Sequence, residues 1–94
     1  MGFVMNKETK IKLIKKIDVT DMAGDKVMID FDSGKYFLLR GTAVDIWDNI
    51  QSETTVGDLV KTLLTIYDVD EETCLSGTEK FLAQLEEANF ISLT

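Results

Sequence analysis

The first half of the chain alternates hydrophobic and polar positions, which is the pattern of β-strands with one buried face. Two such runs predict the first two strands, with hydrophobic faces formed by Ile11, Leu13, Ile17 and Val19 and then by Val27, Ile29 and Phe31. Turn residues follow each run, at positions 22–25 and 32–35. Gly34 takes positive φ at little cost, so the second turn predicts a tight hairpin that leads into a third strand.

The third predicted strand, residues 36–40, differs from its neighbours because it is apolar on both faces. A strand buried on both sides has this pattern, and so does an edge strand whose outer surface is completed by a partner. Successive side chains of a strand point to opposite faces. Only one of Tyr36 and Phe37 is therefore expected to face the rest of the domain.

The second half carries hydrophobic residues at helical spacing and predicts three helices. Their predicted N-terminal signals are a capping box formed by Thr42 and Asp45, then Thr55 with Asp58, and finally Asp70. Asn89 is the predicted left-handed stop, after which residues 90–91 return to the core. The predicted fold class is α+β, a three-stranded antiparallel sheet followed by three helices, similar to a winged helix-turn-helix.

The chain has 94 residues, of which 45% are hydrophobic, and it contains no proline. These properties predict one folded domain at residues 11–94, preceded by a flexible basic arm at residues 1–10. No run approaches the roughly 20 apolar residues of a membrane span, and the pattern of residues 1–10 is not the one expected of a secretory signal. With Cys74 as the single cysteine and no histidine, we expect a reducing, cytoplasmic location and no membrane partner.

The net charge of −7 is unevenly distributed. Residues 1–16 carry five lysines and one glutamate, whereas residues 17–94 carry five basic and 16 acidic groups. Because residues 17–94 are so acidic, they repel the phosphate backbone of nucleic acids, and we expect no nucleic-acid partner. The basic arm fits either a solvated terminus or an electrostatic contact with an acidic partner.

No arrangement of residues indicates catalysis. Without histidine, no nucleophile has an adjacent base in the sequence. Cys74 lies on an apolar helix face, which is typical of a structural or surface-lining residue. The acidic residues at 68–72 lack the glycine and the spaced ligands of a calcium loop, and the glycines are isolated. We therefore expect no catalytic residue, no metal site and no cofactor.

The run at residues 34–47, GKYFLLRGTAVDIW, resembles the signature of the PqqD family. This family comprises small proteins of pyrroloquinoline quinone biosynthesis and related recognition elements of ribosomal-peptide modification. Further matching segments at residues 55–59, 67–70 and 81–85 extend the likeness over residues 17–93. Arg40 departs from the family pattern, in which asparagine is common. In size, the chain is also similar to the discrete recognition proteins of lasso-peptide clusters.

The resemblance implies a protein that is not an enzyme. It implies binding of the leader segment of a ribosomally made precursor peptide, which is then delivered to a separate modifying enzyme or leader peptidase. In the family, the leader adds an antiparallel strand to the third strand, in a groove closed by the third helix. The strand residues implied here are Tyr36, Phe37, Leu38, Leu39 and Arg40. The implied helix residues are Cys74, Leu75, Thr78, Phe81 and Leu82.

Within this implied site, small Cys74 and Thr78 leave room for ligand side chains, whereas Phe81 and Leu82 are either groove wall or core. Other functions remain open. A DNA-binding winged helix needs a basic recognition helix, yet residues 70–88 contain only Lys80 among six acidic residues. An enzyme in its own right, a structural adaptor, and a homo-oligomer paired through the edge strand are the further alternatives.

Overall fold

A computed structural model describes residues 5–94 as an α+β fold, which confirms the predicted class. The elements are strands β1 (Lys10–Leu13), β2 (Asp18–Met22), β3 (Asp25–Asp30) and β4 (Lys35–Leu39), helix α1 (Thr42–Asn49), strand β5 (Thr54–Thr55), helices α2 (Val56–Leu64) and α3 (Glu71–Glu87), and strand β6 (Ile91–Leu93). The likeness to a winged helix-turn-helix stays a prediction. None of the helices within residues 5–94 is long and apolar enough to cross a membrane.

The strands form two antiparallel sheets, where the sequence had predicted one. One sheet has the order β2-β3-β4, and the other has the order β5-β1-β6. The single first strand predicted over residues 11–19 is therefore wrong. β1 pairs with β6 through Ile11 and Leu93, whereas β2 pairs with β3 through Asp18 and Ile29. Alternation is a local signal, so it did not reveal that the two ends of the chain share a sheet.

The core lies between the two sheets and the three helices. Its fully buried side chains come from every layer and include Ile11, Met28, Leu39, Ile46, Ile50, Leu59, Leu63, Leu82, Leu85 and Phe90. The half-buried Phe37 packs edge-to-face on Phe90, with ring centroids 5.3 Å apart. This aromatic pair ties β4 to the segment that follows α3, and it confirms the predicted return of residues 90–91 to the core.

The buried face of β3 is the reverse of the predicted one. Met28 and Asp30 are buried, whereas Val27 and Ile29 are half-buried and Phe31 is 73% exposed in the turn. Burial of Asp30 is tolerated because its carboxylate accepts three hydrogen bonds. The donors are the Lys15 ammonium at 3.0 Å, the Ser33 hydroxyl at 2.8 Å and the Asp32 backbone N–H at 3.2 Å.

The helix ends follow the sequence signals at α2 and α3 but not at α1. Thr55 Oγ1 accepts from the backbone N–H of Asp58 at 3.2 Å, which confirms the cap of α2. The Asp70 carboxylate caps α3 in the same way, and Asn89 has a φ of 65° after its last turn. The capping box predicted at residues 42–45 is wrong, because the N-cap of α1 is Gly41, which contributes no side-chain hydrogen bond.

Residues 5–10 lie against the first turn of α2. The backbone carbonyl of Lys7 accepts from the N–H of Gly57 at 2.9 Å, and the carbonyl of Thr9 accepts from Val56 at 2.9 Å. Lys7 also forms an ion pair with Glu71. Residues 1–4 of the predicted basic arm lie outside the described residues, and the flexibility of the arm stays a prediction.

The two helical glycines outside the turns give a matched test of this packing. We expect Gly77→Ala to raise the free energy of unfolding by about 0.5–1 kcal/mol, because a Cβ there meets open space and alanine is the better helix former. Gly57→Ala should lower the free energy of unfolding, because its Cβ would lie 2.9 Å from the Lys7 carbonyl oxygen. Urea denaturation measures both; equal gains would contradict the tight contact at residue 57.

The Asp30 network predicts an acid-sensitive contribution to stability. Hydrogen bonds from Lys15 and Ser33 hold the pKa of Asp30 below its ordinary value. A lowered pKa in the folded state gives stability that is complete above the ordinary carboxyl pKa and is lost as the pH falls through the folded value. We expect Asp30→Asn to destabilise the protein at about pH 7 and the difference from wild type to shrink below about pH 4.

The control for this prediction is Asp32→Asn. Asp32 contacts the same lysine at 3.3 Å but is exposed, so its removal should change the free energy of unfolding by less than about 1 kcal/mol. Urea midpoints measured over the acid range compare the three proteins. A pH profile of Asp30→Asn that runs parallel to wild type would rule out the assignment.

Candidate functional site

The outer edge of β4 is open to an additional strand. β4 lies at the end of the sheet β2-β3-β4, and no other strand in the described part of the chain pairs with its outer side. Its inner side is fully paired with β3, from Asp30 opposite Lys35 to Lys26 opposite Leu39. Alternate N–H and C=O groups of an edge strand point outward without a partner in the sheet. β4 therefore offers a short row of backbone hydrogen-bonding groups.

The side chains of β4 alternate as the sequence predicted. Phe37 and Leu39 point inward, and Leu39 is fully buried, so it presents only its backbone to a ligand. Tyr36 and Leu38 point outward and are 75% and 51% exposed. This confirms that only one of Tyr36 and Phe37 faces the helices. On the outer face, Leu38 lies opposite the half-buried Val27, which makes that face apolar beside the open edge.

α3 runs beside β4 and forms the second wall of a groove. Near the β3–β4 turn, a depression of about 240 Å³ is lined by Lys35, Phe37, Gln84, Glu87 and Ala88. We refer to it as the hairpin-end depression. Since residues of β4 and of the last turns of α3 line it together, the strand and the helix are direct neighbours there. The space between them is the groove.

A deeper cavity lies farther along α3, where α1 begins. Its volume is about 300 Å³, and it is lined by Thr42, Ala43, Ile46, Tyr67, Val69, Thr73, Cys74, Gly77, Thr78 and Phe81. We refer to it as the α1-end cavity. Because β4 leads into α1 through only two residues, this cavity and the hairpin-end depression lie at opposite ends of β4. Both hollows are lined by α3; β4 lines the hairpin-end depression, whereas the walls of the α1-end cavity come from α1, α3 and residues 67–69.

The structure brings together part of the helix set implied by the resemblance. Cys74, Thr78 and Phe81 line the α1-end cavity, whereas Leu75 and Leu82 do not. Leu82 is fully buried in the core and Leu75 packs against it, so neither lines the groove. Cys74 and Phe81 belong to the row of α3 at residues 74, 77, 81, 84 and 88, whereas Leu82 lies one position farther round the helix on the inward side; Thr78 is buried on that inward side as well but also borders the cavity.

Arg40 lies just after β4 and is exposed. Its Nε donates to the Asp25 carboxylate at 2.9 Å, which joins the end of β4 to the start of β3. The side chain is thus partnered within the fold, and an exposed pair of this kind contributes little to stability. Arg40 lines neither the hairpin-end depression nor the α1-end cavity.

Sequence reasoning missed two groups of cavity residues. Gly77, Gln84 and Ala88 follow the spacing of Cys74 and Phe81 along α3, so helical periodicity carried a signal for them. The start of α1 and the segment around Tyr67 carried no such signal, since only the tertiary fold brings them to α3. Tyr67 is held there by a hydrogen bond that its hydroxyl donates to Asp45. That bond and burial raise the pKa of Tyr67 above its ordinary value.

The chemistry of the groove is that of binding. Its walls are mostly apolar, and Cys74 is a buried free thiol. Among residues 5–94, no group of three or more histidine, cysteine, aspartate or glutamate side chains is placed to hold a metal ion. An open strand edge beside an apolar groove is suited to an extended peptide, whose backbone pairs with the edge and whose side chains enter the cavities.

Two solved structures share this fold. One is described as TbiB1 in complex with the TbiA(beta) leader peptide; it has a TM-score of 0.77 and 20% identity, with 86% of this chain and 94% of that chain covered. The other is described as lasso peptide synthetase B1 complexed with the leader peptide; it has a TM-score of 0.71 and 22% identity, with 87% and 96% covered.

Of the two sequence comparisons, one finds no match and the other identifies a family. None of the curated proteins matches the chain. The sequence profile of the family described as coenzyme PQQ synthesis protein D (PqqD) matches residues 25–91, a segment that runs from the start of β3 to the first residue of β6 and includes both walls of the groove. The chain therefore belongs to the PqqD family.

Proposed function

We propose that this protein binds the leader segment of a ribosomally made precursor peptide and presents it to a separate modifying enzyme or leader peptidase. The leader adds to β4 as an antiparallel strand and places side chains in the groove beside α3. The protein itself holds the substrate without catalysing a reaction. We place the encounter in the cytoplasm, because the precursor is made on ribosomes.

The observation that carries this proposal is the open edge of β4 beside an apolar groove. Backbone hydrogen bonds to an edge strand provide affinity that depends little on sequence, and pockets for alternate side chains provide selectivity. β4 has both features, since its outer side is unpaired within residues 5–94 and the cavities lie along α3. Tyr36 and Leu38 extend the apolar contact to the outer face.

The other edge of the same sheet, β2, is less suited to a peptide. All five residues of β2 are exposed, and Asp18 and Asp21 carry charges along it. Charged side chains on an edge strand oppose the addition of another strand. The exposed residues in the centre of β4 are apolar instead. The residues along the two edges therefore favour β4 over β2 as the edge to which a peptide strand adds.

The antiparallel arrangement sets the direction of the bound leader. β4 runs from the hairpin-end depression toward α1, so an antiparallel peptide runs from the α1-end cavity toward Lys35. Its upstream residues lie at the cavity and its downstream residues leave the protein past the β3–β4 turn. The partner enzyme then acts on the part of the precursor that extends beyond that turn.

Relatives support this role. Both matched structures are described as complexes with leader peptides, and one of those proteins is described as lasso peptide synthetase B1. On this basis, we propose a lasso-type precursor as the ligand, with a modifying enzyme or leader peptidase as the partner. A carrier of this kind needs no catalytic groups or cofactor, and its acidic body makes nucleic acid a poor alternative partner.

The proposal predicts that a charge at the open edge weakens peptide binding. Leu38→Asp should reduce the affinity for an extended peptide by roughly tenfold or more, because the buried apolar contact of one leucine side chain is lost. Fluorescence anisotropy measures this with labelled peptides of about ten residues, enough to span a strand. Display selection on the immobilised protein and the TbiA(beta) leader peptide are two sources of such probes.

Thr20→Asp is the matched control. Thr20 lies opposite Val27, and Val27 lies opposite Leu38, so the two substitutions add the same charge to the same face at opposite edges. We expect Thr20→Asp to leave the affinity within about twofold, as a remote exposed charge contributes little. Hydrogen exchange should show new protection at alternate amides of β4 and none in β2. Peptide binding that is insensitive to Leu38→Asp would contradict the proposed site.

A further inference from the structure

A row of lysines lies along β1 and the segment that follows it. Between residues 10 and 17, exposed side chains alternate with buried or half-buried ones. The exposed positions are Lys10, Lys12, Ile14 and Lys16, and we refer to these four residues as the basic stripe. Ile14 is 55% exposed, so an apolar side chain separates two of the ammonium groups. Alternate residues of a strand lie roughly 7 Å apart on the same face.

The lysines of the basic stripe have no carboxylate partner in the fold. Lys10, Lys12 and Lys16 form no ion pair with any other residue of the range 5–94, whereas Lys15 and Lys26 each contact two carboxylates. Residues 17–94 carry five basic and 16 acidic groups, so most of the remaining surface is negatively charged. A positive patch on an acidic protein attracts anionic groups to that one place.

The basic stripe ends beside the β3–β4 turn, past which the bound leader is proposed to leave the protein. The Lys15 ammonium donates to the Asp30 carboxylate at the end of β3, at 3.0 Å. The backbone N–H of Ile14 donates to the carbonyl of Phe90 at 3.0 Å, and Phe90 packs on Phe37 of β4. Because these contacts hold the segment after β1 against the hairpin end of the β2-β3-β4 sheet, the segment lies next to the exit of the groove.

Two acidic side chains near this exit do not cancel the charge of the basic stripe. Asp32 contacts Lys15 at 3.3 Å, and Glu87 shares the hairpin-end depression with Lys35. Each of these carboxylates therefore has a lysine nearby that does not belong to the stripe. A peptide that continues beyond the β3–β4 turn next meets the uncompensated ammonium groups of the stripe.

We infer that the basic stripe binds the precursor segment that follows the strand-forming part of the leader, and that this segment carries acidic side chains on both sides of an apolar one. Alternate side chains of an extended peptide share a face, so this order matches Lys12, Ile14 and Lys16. The inference rests on the proposed function and adds the chemistry of the segment that leaves the groove. The contact holds the downstream part of the precursor on the β1 side of the protein, where the partner enzyme meets it.

Peptides that differ only in a downstream tail test the stripe. The parent is a peptide selected by display on the immobilised protein, extended through a flexible Gly-Ser linker of about four residues. The tails are Glu-Ser-Leu-Ser-Glu, Gln-Ser-Leu-Ser-Gln and Lys-Ser-Leu-Ser-Lys. At low ionic strength, we expect the acidic tail to bind wild type roughly three- to tenfold more tightly than the neutral tail, as two exposed ion pairs are gained. Fluorescence anisotropy gives the affinities.

The order of the three tails separates the stripe from the charge of the whole protein. A net charge of −7 acting alone favours the basic tail, whereas the stripe favours the acidic one. The gain of the acidic tail should fall to within about twofold near 1 M salt, where the Debye length is about 3 Å. In NMR spectra of the labelled protein, the acidic tail should shift the amides of residues 12–16 more than the neutral tail does.

Charge reversal of the stripe supplies the matched variants. Lys12→Glu combined with Lys16→Glu should abolish the gain of the acidic tail and make the basic tail the tightest binder. Lys12→Gln combined with Lys16→Gln should bring the acidic and neutral tails within about twofold of each other. Lys61→Glu reverses an exposed lysine on α2 and should leave the gain within about twofold of wild type. All three positions are exposed, and circular dichroism checks that the variants fold.

The inference is overturned if the neutral or basic tail binds wild type as tightly as the acidic tail at low salt, or if reversal of Lys12 and Lys16 leaves the gain intact. An equal gain from an acidic tail at the upstream end of the parent also overturns it, because that end lies at the α1-end cavity. Parent binding that Leu38→Asp weakens, without any gain from the acidic tail, defeats the inference alone. Parent binding that is insensitive to Leu38→Asp, with the gain intact, defeats the proposed function alone.

Discussion

The packing of α3 against the core is the interaction on which the groove depends. Leu82 and Leu85 are fully buried and fix the rotation of the helix about its axis. With that rotation set, the helical period turns Gln84 and Ala88 toward β4 and Phe81 toward the α1-end cavity. Phe37 contacts Phe90 just beyond the end of α3, which holds the strand at a fixed distance from the helix. A rotation of α3 would remove the groove while leaving each element intact.

Two buried polar side chains, Asp30 and Thr78, differ in whether they have hydrogen-bond partners. Asp30 lies in the core face of the β2-β3-β4 sheet and is fully provided with donors by Lys15, Ser33 and a backbone N–H. That network joins the segment before β2 to the β3–β4 turn and is structural. Thr78 lies at the cavity wall and has no partner within the described residues. A buried polar group with partners is compatible with a stable fold, whereas a buried polar group without them lowers the stability.

The sequence alone determined most of the local structure. The apolar run at residues 36–39 predicted a strand that is either buried on both sides or completed at a sheet edge. The caps at Thr55 and Asp70 predicted the starts of two helices, and Asn89 predicted the end of the third. These signals succeed because turns, caps and side-chain alternation depend on neighbours a few residues away. The prediction of the buried face of β3 failed, because the burial of Asp30 depends on its contact with Lys15, which lies 15 residues away in the sequence.

Only the tertiary structure decided how the elements combine. It paired β1 with β6, reversed the buried face of β3, and assigned Leu82 to the core and Phe81 to the groove. It also brought the start of α1 and Tyr67 to α3, which encloses the α1-end cavity. The physical reason is that a cavity is defined by surfaces that are close in space and far apart in sequence. The sequence thus determined that one strand is apolar on both faces, and the fold decided that this strand lies at a sheet edge and which side chains surround it.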